Sequence, residues 1–185
     1  MSTTERKKGI FVDIRQVKRK DLPEIFTIEK QGLGFPCSKD NFISCLQQGD
    51  CSVMVAEHEG QVIGFMVYKF YKNSSIHLLN LIVAKAWRRQ GVAAQMMAEL
   101  IAKLSAQWFK RIIIEVRETN LPAQLLLRKC GFKAINVFHK HYDHAREDVY
   151  IMQYMHKAPP EKTEKLSGLL NRIINFPGII NRLGD

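Results

Sequence analysis

Apolar and polar positions alternate through residues 11–17, which predicts a first β-strand. Asp21 then stands where a helix N-cap belongs, ahead of an apolar face of Leu22, Ile25, Phe26 and Ile28. The stretch from Gln31 to Pro36, with two glycines and a proline, breaks that helix. Ser38 caps a short second one carrying Phe42, Ile43 and Leu46. Residues 52–57 read as a strand, Glu59-Gly60 as a turn, and residues 62–70 as the returning partner. A second turn at Asn73-Ser74-Ser75 leads into a strand over 76–83, and a helix follows over 92–104. Residues 111–116 are nearly all apolar, the pattern of a strand buried on both faces. Asn120 caps a further helix, with Pro122 tolerated in its first turn and Gly131 ending it. Two last strands cover about 132–142 and 148–154. This order predicts an α/β fold, a mixed sheet with helices on both faces.

The pattern is most informative between Leu78 and Met97. The apolar run 78–83 stops at a polar turn holding Arg88, Arg89, Gln90 and Gly91, and a helix begins at once. The first N–H groups of a helix have no partner within it, and the helix dipole adds partial positive charge at that end. A strand feeding a glycine turn and then a helix N-terminus is therefore suited to a phosphate or pyrophosphate. The plain alternative is an ordinary strand–helix connection.

Composition narrows the reading. The chain has 185 residues, 46% of them apolar, enough for one domain with a real core. The net charge of +10 is high for this length, and the first 20 residues hold seven Lys and Arg against two acids. Such a field favours acidic partners: a polyphosphate cofactor, an acidic protein, or RNA on a ribosome. A solvated basic arm is the alternative for residues 1–9. Four cysteines (37, 45, 51 and 130) show no paired spacing of zinc-site type. With no secretory signal pattern, they read as reduced thiols of a cytoplasmic protein. No run approaches the ~18–20 apolar residues of a membrane span. From Ala158 the composition changes. Pro159-Pro160 and a charged stretch lead to Leu166, Leu169, Leu170, Ile173 and Ile174 at helical spacing. Residues 157–185 thus form a linker and amphipathic tail, suited to docking on the domain, on a second subunit or on a membrane surface. The domain proper is 10–156.

Residues 88–93 fit R-x-x-G-x-A between an expected strand and an expected helix. With the order of elements, this resembles the GNAT-superfamily N-acetyltransferases over about residues 10–155. That resemblance implies a mixed, mostly antiparallel sheet flanked by helices, and acetyl-CoA as cosubstrate. The segments NLIV at 80–83, EVRETNLPA at 115–123, KCGF at 129–132, Phe35-Pro36 with Ser38, and the stretch 141–152 are similar to the ribosomal-protein-alanine N-acetyltransferase (RimI) type. That group acetylates protein N-terminal amines, so the resemblance implies a protein α-amine as acceptor, with ribosome association as an added expectation. A small amine or a lysine side chain is the alternative acceptor, and an acetyl-CoA-binding module without turnover is the alternative class.

Carried over by position, the backbone of Leu81, Ile82 and Val83 would pair with the pantetheine arm. Arg88, Arg89, Gln90, Gly91, Val92, Ala93 and Ala94 would wrap the pyrophosphate, and Asn120 would hydrogen-bond the cosubstrate beside its capping role. Glu115 would be the general base. It closes a run of three isoleucines, which predicts partial burial and a raised pKa; an ion pair with Arg111 or Arg117 is the alternative. One departure is clear. The family's L-Y-x-x-x-G-F stretch carries a tyrosine that protonates the departing thiolate, and here that position is Leu127. Tyr142 is the replacement candidate. Cys37 stands where the family usually has tryptophan, which alters the expected substrate pocket. His139, His141, Asp143 and His144 invite a metal reading, but no further Cys/His cluster completes a site. No metal is expected; polar contacts at the substrate rim are.

Overall fold

The computed structural model describes residues 9–31, 51–106, 109–139 and 147–156. The basic arm before Gly9, the helix expected after Ser38, Cys37, Tyr142, His141, Asp143, His144 and the tail after His156 lie outside these residues. The described strands are β1 (Asp13–Gln16), β2 (Cys51–His58), β3 (Gln61–Tyr71), β4 (Ser75–Val83), β5 (Arg111–Arg117), β6 (Lys133–Phe138) and β7 (Val149–Met155). The helices are α1 (Leu22–Lys30), α2 (Val92–Ala106) and α3 (Leu121–Lys129).

The seven strands form one sheet in the order β1-β2-β3-β4-β5-β7-β6. Every described junction is antiparallel except β4–β5, which is parallel. The crossover that a parallel pair requires is supplied by α2, which lies between those strands in the chain.

Each sheet face carries its own core. On one face Met54, Met66, Tyr68, Ile76 and Ile112 pack with Met96, Met97, Leu100 and Leu104 of α2. On the other, Val53, Val55, Phe65 and Val67 pack with Ile25 and Ile28 of α1. The alternation in β2 and β3 thus feeds two helical layers, which is why both strands are apolar almost throughout.

Two expectations fail here. Asp21 does not cap α1 with its side chain. Its carboxylate, 3% exposed, takes two bonds from the Arg15 guanidinium at 2.7 and 3.0 Å and one from the Lys18 N–H at 2.7 Å. A bidentate charge-assisted pair outweighs a single cap bond. Arg15 also donates from Nε to Glu57 at 2.9 Å, so one guanidinium ties β1, the start of α1 and β2 together. Secondly, Cys51 is disulfide-bonded, not a reduced thiol. Its partner lies outside the described residues, and no short sequence spacing announces the bridge. Cys130 is free, and burial pushes its thiol pKa up.

Candidate active site

The parallel seam is short. β4 and β5 pair from Ser75 with Arg111 to Leu78 with Ile114 and no further. β4 nevertheless continues to Val83 and β5 to Arg117. The cause lies on the other side of β4. Tyr68 of β3 faces Leu78 while Val67 faces Asn80, so Leu79 is an extra residue, a β-bulge. A bulge bends its strand and increases local twist. It also exchanges the two faces. Ile76 and Leu78 point into the α2 core before it, and Leu81 and Val83 do so after it, while Ile82 turns to the α1 core. The far half of β4 thus leaves β5 with its edge unpaired by that strand.

The unpaired edge leads into the polar turn. After a short 3-10 turn at Lys85–Trp87, Arg89 adopts φ 65° and Gly91 φ 87°, and α2 starts at Val92. A left-handed conformation is ordinary for glycine but costs an arginine about 1 kcal/mol or more. The first main-chain bond of the helix runs from Gln95 N–H to the Gly91 carbonyl at 3.1 Å. The N–H groups of Val92, Ala93 and Ala94 therefore have no acceptor within the helix. The two arginines divide the work. Arg88 donates from Nε to the Val83 carbonyl at 2.9 Å and from Nη2 to the Gln31 carbonyl at 3.3 Å, so it buttresses the turn. Arg89 is exposed and makes no ion pair among the described residues.

A cavity of about 530 Å³ lies between this turn and α3. Val83, Arg88 and Arg89 line one side of it, with Gly91, Val92, Ala93 and Ala94 at the helix start. Pro122, Leu125, Leu126 and Lys129 line the other. Leu81, Ile82, Gln90 and Asn120 are not among its lining residues. The first two lie on the open β4 edge, Gln90 turns its side chain to the Ala86 carbonyl at 3.1 Å, and Asn120 caps α3 through the Ala123 N–H at 3.3 Å.

Glu115 lies just past the last β4–β5 pair, and its surroundings differ from those the sequence predicts. Its side chain is exposed, not partly buried, because the seam ends with the Leu78–Ile114 pair, one residue earlier. It makes no ion pair among the described residues; Arg117 instead meets Glu147 at 3.5 Å. His77, which pairs with Ile113, shares a sheet face with Glu115. Burial lowers the His77 pKa, the Glu115 charge opposes that, and Arg111 adds to the lowering. Leu127 is 1% exposed inside the α2-side core, where it offers no proton to a leaving group. His139 meets Asp148 at 2.9 Å, and among the described residues no three His, Cys, Asp or Glu side chains gather as a metal site.

The profile of the acetyltransferase (GNAT) family matches residues 12–132 of this chain. The chain belongs to that family. An N-alpha-acetyltransferase of Sulfurisphaera tokodaii is 28% identical over 164 residues, covering 82% of this chain and 98% of the relative. The [ribosomal protein bS18]-alanine N-acetyltransferase of Escherichia coli K12 is 26% identical over 141 residues, covering 75% and 94%. The crystal structure of the ribosomal-protein-S18-alanine N-acetyltransferase from Escherichia coli superimposes with a TM-score of 0.74 at 25% identity, covering 82% of this chain and 98% of that one.

The acetyltransferase fold brings in residues that the motif does not name. Lys129 lines the cavity opposite Arg89. It recurs seven residues after Pro122, with Leu125 and Leu126 between, so helical spacing alone places it on the cavity face. Trp87 lines the same cavity and sets its ring edge-on to His58 at 5.1 Å between centroids. Gln95 uses both ends of its amide on the segment before β1, a long-range contact with no sequence signature.

Proposed function

We propose that this acetyltransferase moves the acetyl group of acetyl-CoA to the α-amine at the N-terminus of a protein. The observation that carries the cosubstrate is the parted β4–β5 seam leading to a cavity whose phosphate end has unpaired helix N–H groups and Arg89. The residues present suit such a molecule: an extended arm against the β4 edge at Leu81, Ile82 and Val83, and a pyrophosphate at the turn from Arg89 to Ala94, with Arg88 and Gln90 holding that turn. Asn120, at the start of α3, is the further contact. The acceptor rests on the relatives, matched over nearly their whole length, whose names specify N-alpha-acetylation and ribosomal-protein alanine acetylation.

Acetyl-CoA supplies a thioester carbonyl that a free amine attacks. An α-amine has a pKa near 7.7–8.0, so much of it is protonated at neutral pH. Glu115 is the group to take that proton, directly or through a water that its exposure admits. Leu127 leaves the departing thiolate without a donor at the family position; Tyr142 or solvent takes that role. Residues 10–156 form the catalytic unit in this reading, the basic charge of residues 1–9 suits an acidic partner such as a ribosome, and the amphipathic pattern of the tail suits docking on the domain, on a second subunit or on a membrane surface.

The test is CoA-thiol release with three sets of acceptors: peptides with free α-amines, N-terminally blocked lysine peptides, and small amines. Preference for free α-amines supports the proposal. Turnover only on the other two moves the acceptor class. Acetyl-CoA binding without turnover on any amine turns the protein into a binding module, the reading that Leu127 favours. A cytoplasmic location accompanies the proposal. No helix among the described residues is long and apolar enough to cross a membrane.

A further inference from the structure

The segment ahead of β1 is bound to the phosphate turn through one side chain. Gln95, in the first turn of α2, donates from Nε2 to the Ile10 carbonyl at 2.7 Å and accepts the Val12 N–H on Oε1 at 3.3 Å. Its amide thus brackets Phe11, which is itself 88% exposed. Ile10 then donates its own N–H to the Gln90 carbonyl at 3.2 Å. The main chain closes the ring, because Gln95 N–H bonds the Gly91 carbonyl at 3.1 Å.

The consequence follows from peptide geometry. The Gln90–Gly91 bond is trans, since the described chain has no cis peptide. In a trans peptide the carbonyl and the N–H point in opposite directions within one plane. Ile10 holds the Gln90 carbonyl, so the Gly91 N–H is turned the other way. Ile10 lies next to β1, at one end of the sheet, whereas α3 runs into Phe132, which packs on Tyr154 of β7 next to β5, so the cavity between the turn and α3 lies toward the other end. Gly91 itself lines that cavity. The φ of 87° at Gly91 lets the chain enter α2 directly after this fixed plane.

We propose that Gln95 is a positioning residue for the cosubstrate: through Ile10 it locks the Gln90–Gly91 peptide with its N–H aimed at the pyrophosphate. The inference rests on the acetyl-CoA reading above and adds residues that no turn motif contains. It makes the segment 10–12 part of the phosphate grip, behind the turn rather than against the ligand.

The test uses two variants of the full chain and two cosubstrates. Gln95→Met keeps side-chain length but removes donor and acceptor, and Ile10→Pro deletes the single N–H that holds Gln90. Kd, KM and kcat are measured with acetyl-CoA and with S-acetyl-pantetheine, which lacks the pyrophosphate, beside melting curves of each protein. Each variant raises Kd and KM for acetyl-CoA roughly fivefold to tenfold, as expected for losing one or two oriented hydrogen bonds. In both, kcat stays within about twofold, and S-acetyl-pantetheine shows no change. The double variant is no worse than the weaker-binding single one, since both act on the same peptide. An unchanged acetyl-CoA KM in either variant that melts like the wild type overturns the inference, and so does an equal loss with both cosubstrates. If the wild type binds no acetyl-CoA, the proposed function and this inference fall together. If it binds and only the variants behave as wild type, this inference alone fails.

Discussion

Leu78 of β4 pairs with Ile114 of β5, and beyond that pair the two strands no longer meet. The next residue of β4 is the bulged Leu79, and the next of β5 is Glu115. The carboxylate nominated as base thus stands at the fork of the sheet. Glu115→Gln keeps the shape and removes the proton acceptor. The turnover number at pH 7 should fall by roughly 10²-fold or more, with the acetyl-CoA KM little changed. Raising the pH to about 9 deprotonates the α-amine without help, so the gap to wild type should narrow. A pH–rate series on both proteins checks this, and a gap that widens with pH removes Glu115 from proton transfer.

Lys129 and Arg89 face the same cavity from opposite sides, one on α3 and one on the turn. Lys129→Gln should raise the acetyl-CoA KM about threefold to tenfold through the lost charge-assisted contact. The salt dependence of KM should become shallower, because one exposed cation no longer contributes. Titrating ionic strength separates this from a packing effect, which salt would leave alone.

Gly64 of β3 lies under the bent half of β4. A Cβ there would stand 3.0 Å from the Ile82 carbonyl oxygen, 3.4 Å from Val83 Cγ2 and 3.5 Å from Met96 Sδ. The nearest of these is backbone and cannot swing aside. Gly64→Ala should cost about 1–2 kcal/mol in denaturant unfolding and weaken acetyl-CoA binding, since it pushes the β4 edge itself. Unchanged unfolding with normal binding would show that β4 yields freely at this point.

The Arg15–Asp21 pair sets an acid limit. The Asp21 pKa is lowered, chiefly by the Arg15 hydrogen bond. A carboxylate depressed in the folded state contributes stability that is full above its unfolded value near 3.9 and is lost as pH falls through the folded value. Asp21→Asn should lower stability at pH 7 by about 2 kcal/mol and flatten its decline below pH 4. Unfolding free energies from pH 7 to pH 2 decide it.

Much of the fold is readable from hydrophobic spacing. The strand expected at 62–70 is Gln61–Tyr71, that at 111–116 is Arg111–Arg117, and the helix expected at 92–104 is Val92–Ala106. Apolar alternation reports burial directly, so these elements show themselves. The bulge does not. Leu78, Leu79, Leu81 and Ile82 are apolar on both sides of the face exchange, and the single polar residue among them, Asn80, does not say on which side of it the register slips. The exposure of Glu115 depends on that bulge and was hidden with it. Asp21 sits correctly for a cap, but its partner Arg15 lies six residues earlier in a strand and wins by charge. Gln95 answers to Ile10 and Val12 across 85 and 83 positions, a distance that periodicity does not sense.

The four-residue seam has one more consequence. Strands β1 to β4 form one plate and β5, β7 and β6 another, stitched edge to edge by four residue pairs and backed by the α2 core. A cosubstrate lying along the open edge would act as mortar between the plates. The empty protein is then the softer state. At a hundred times its Kd, acetyl-CoA should add about 2.7 kcal/mol of stability by mass action. Amide exchange should slow most along residues 79–83, so each turnover would leave behind a briefly loosened sheet.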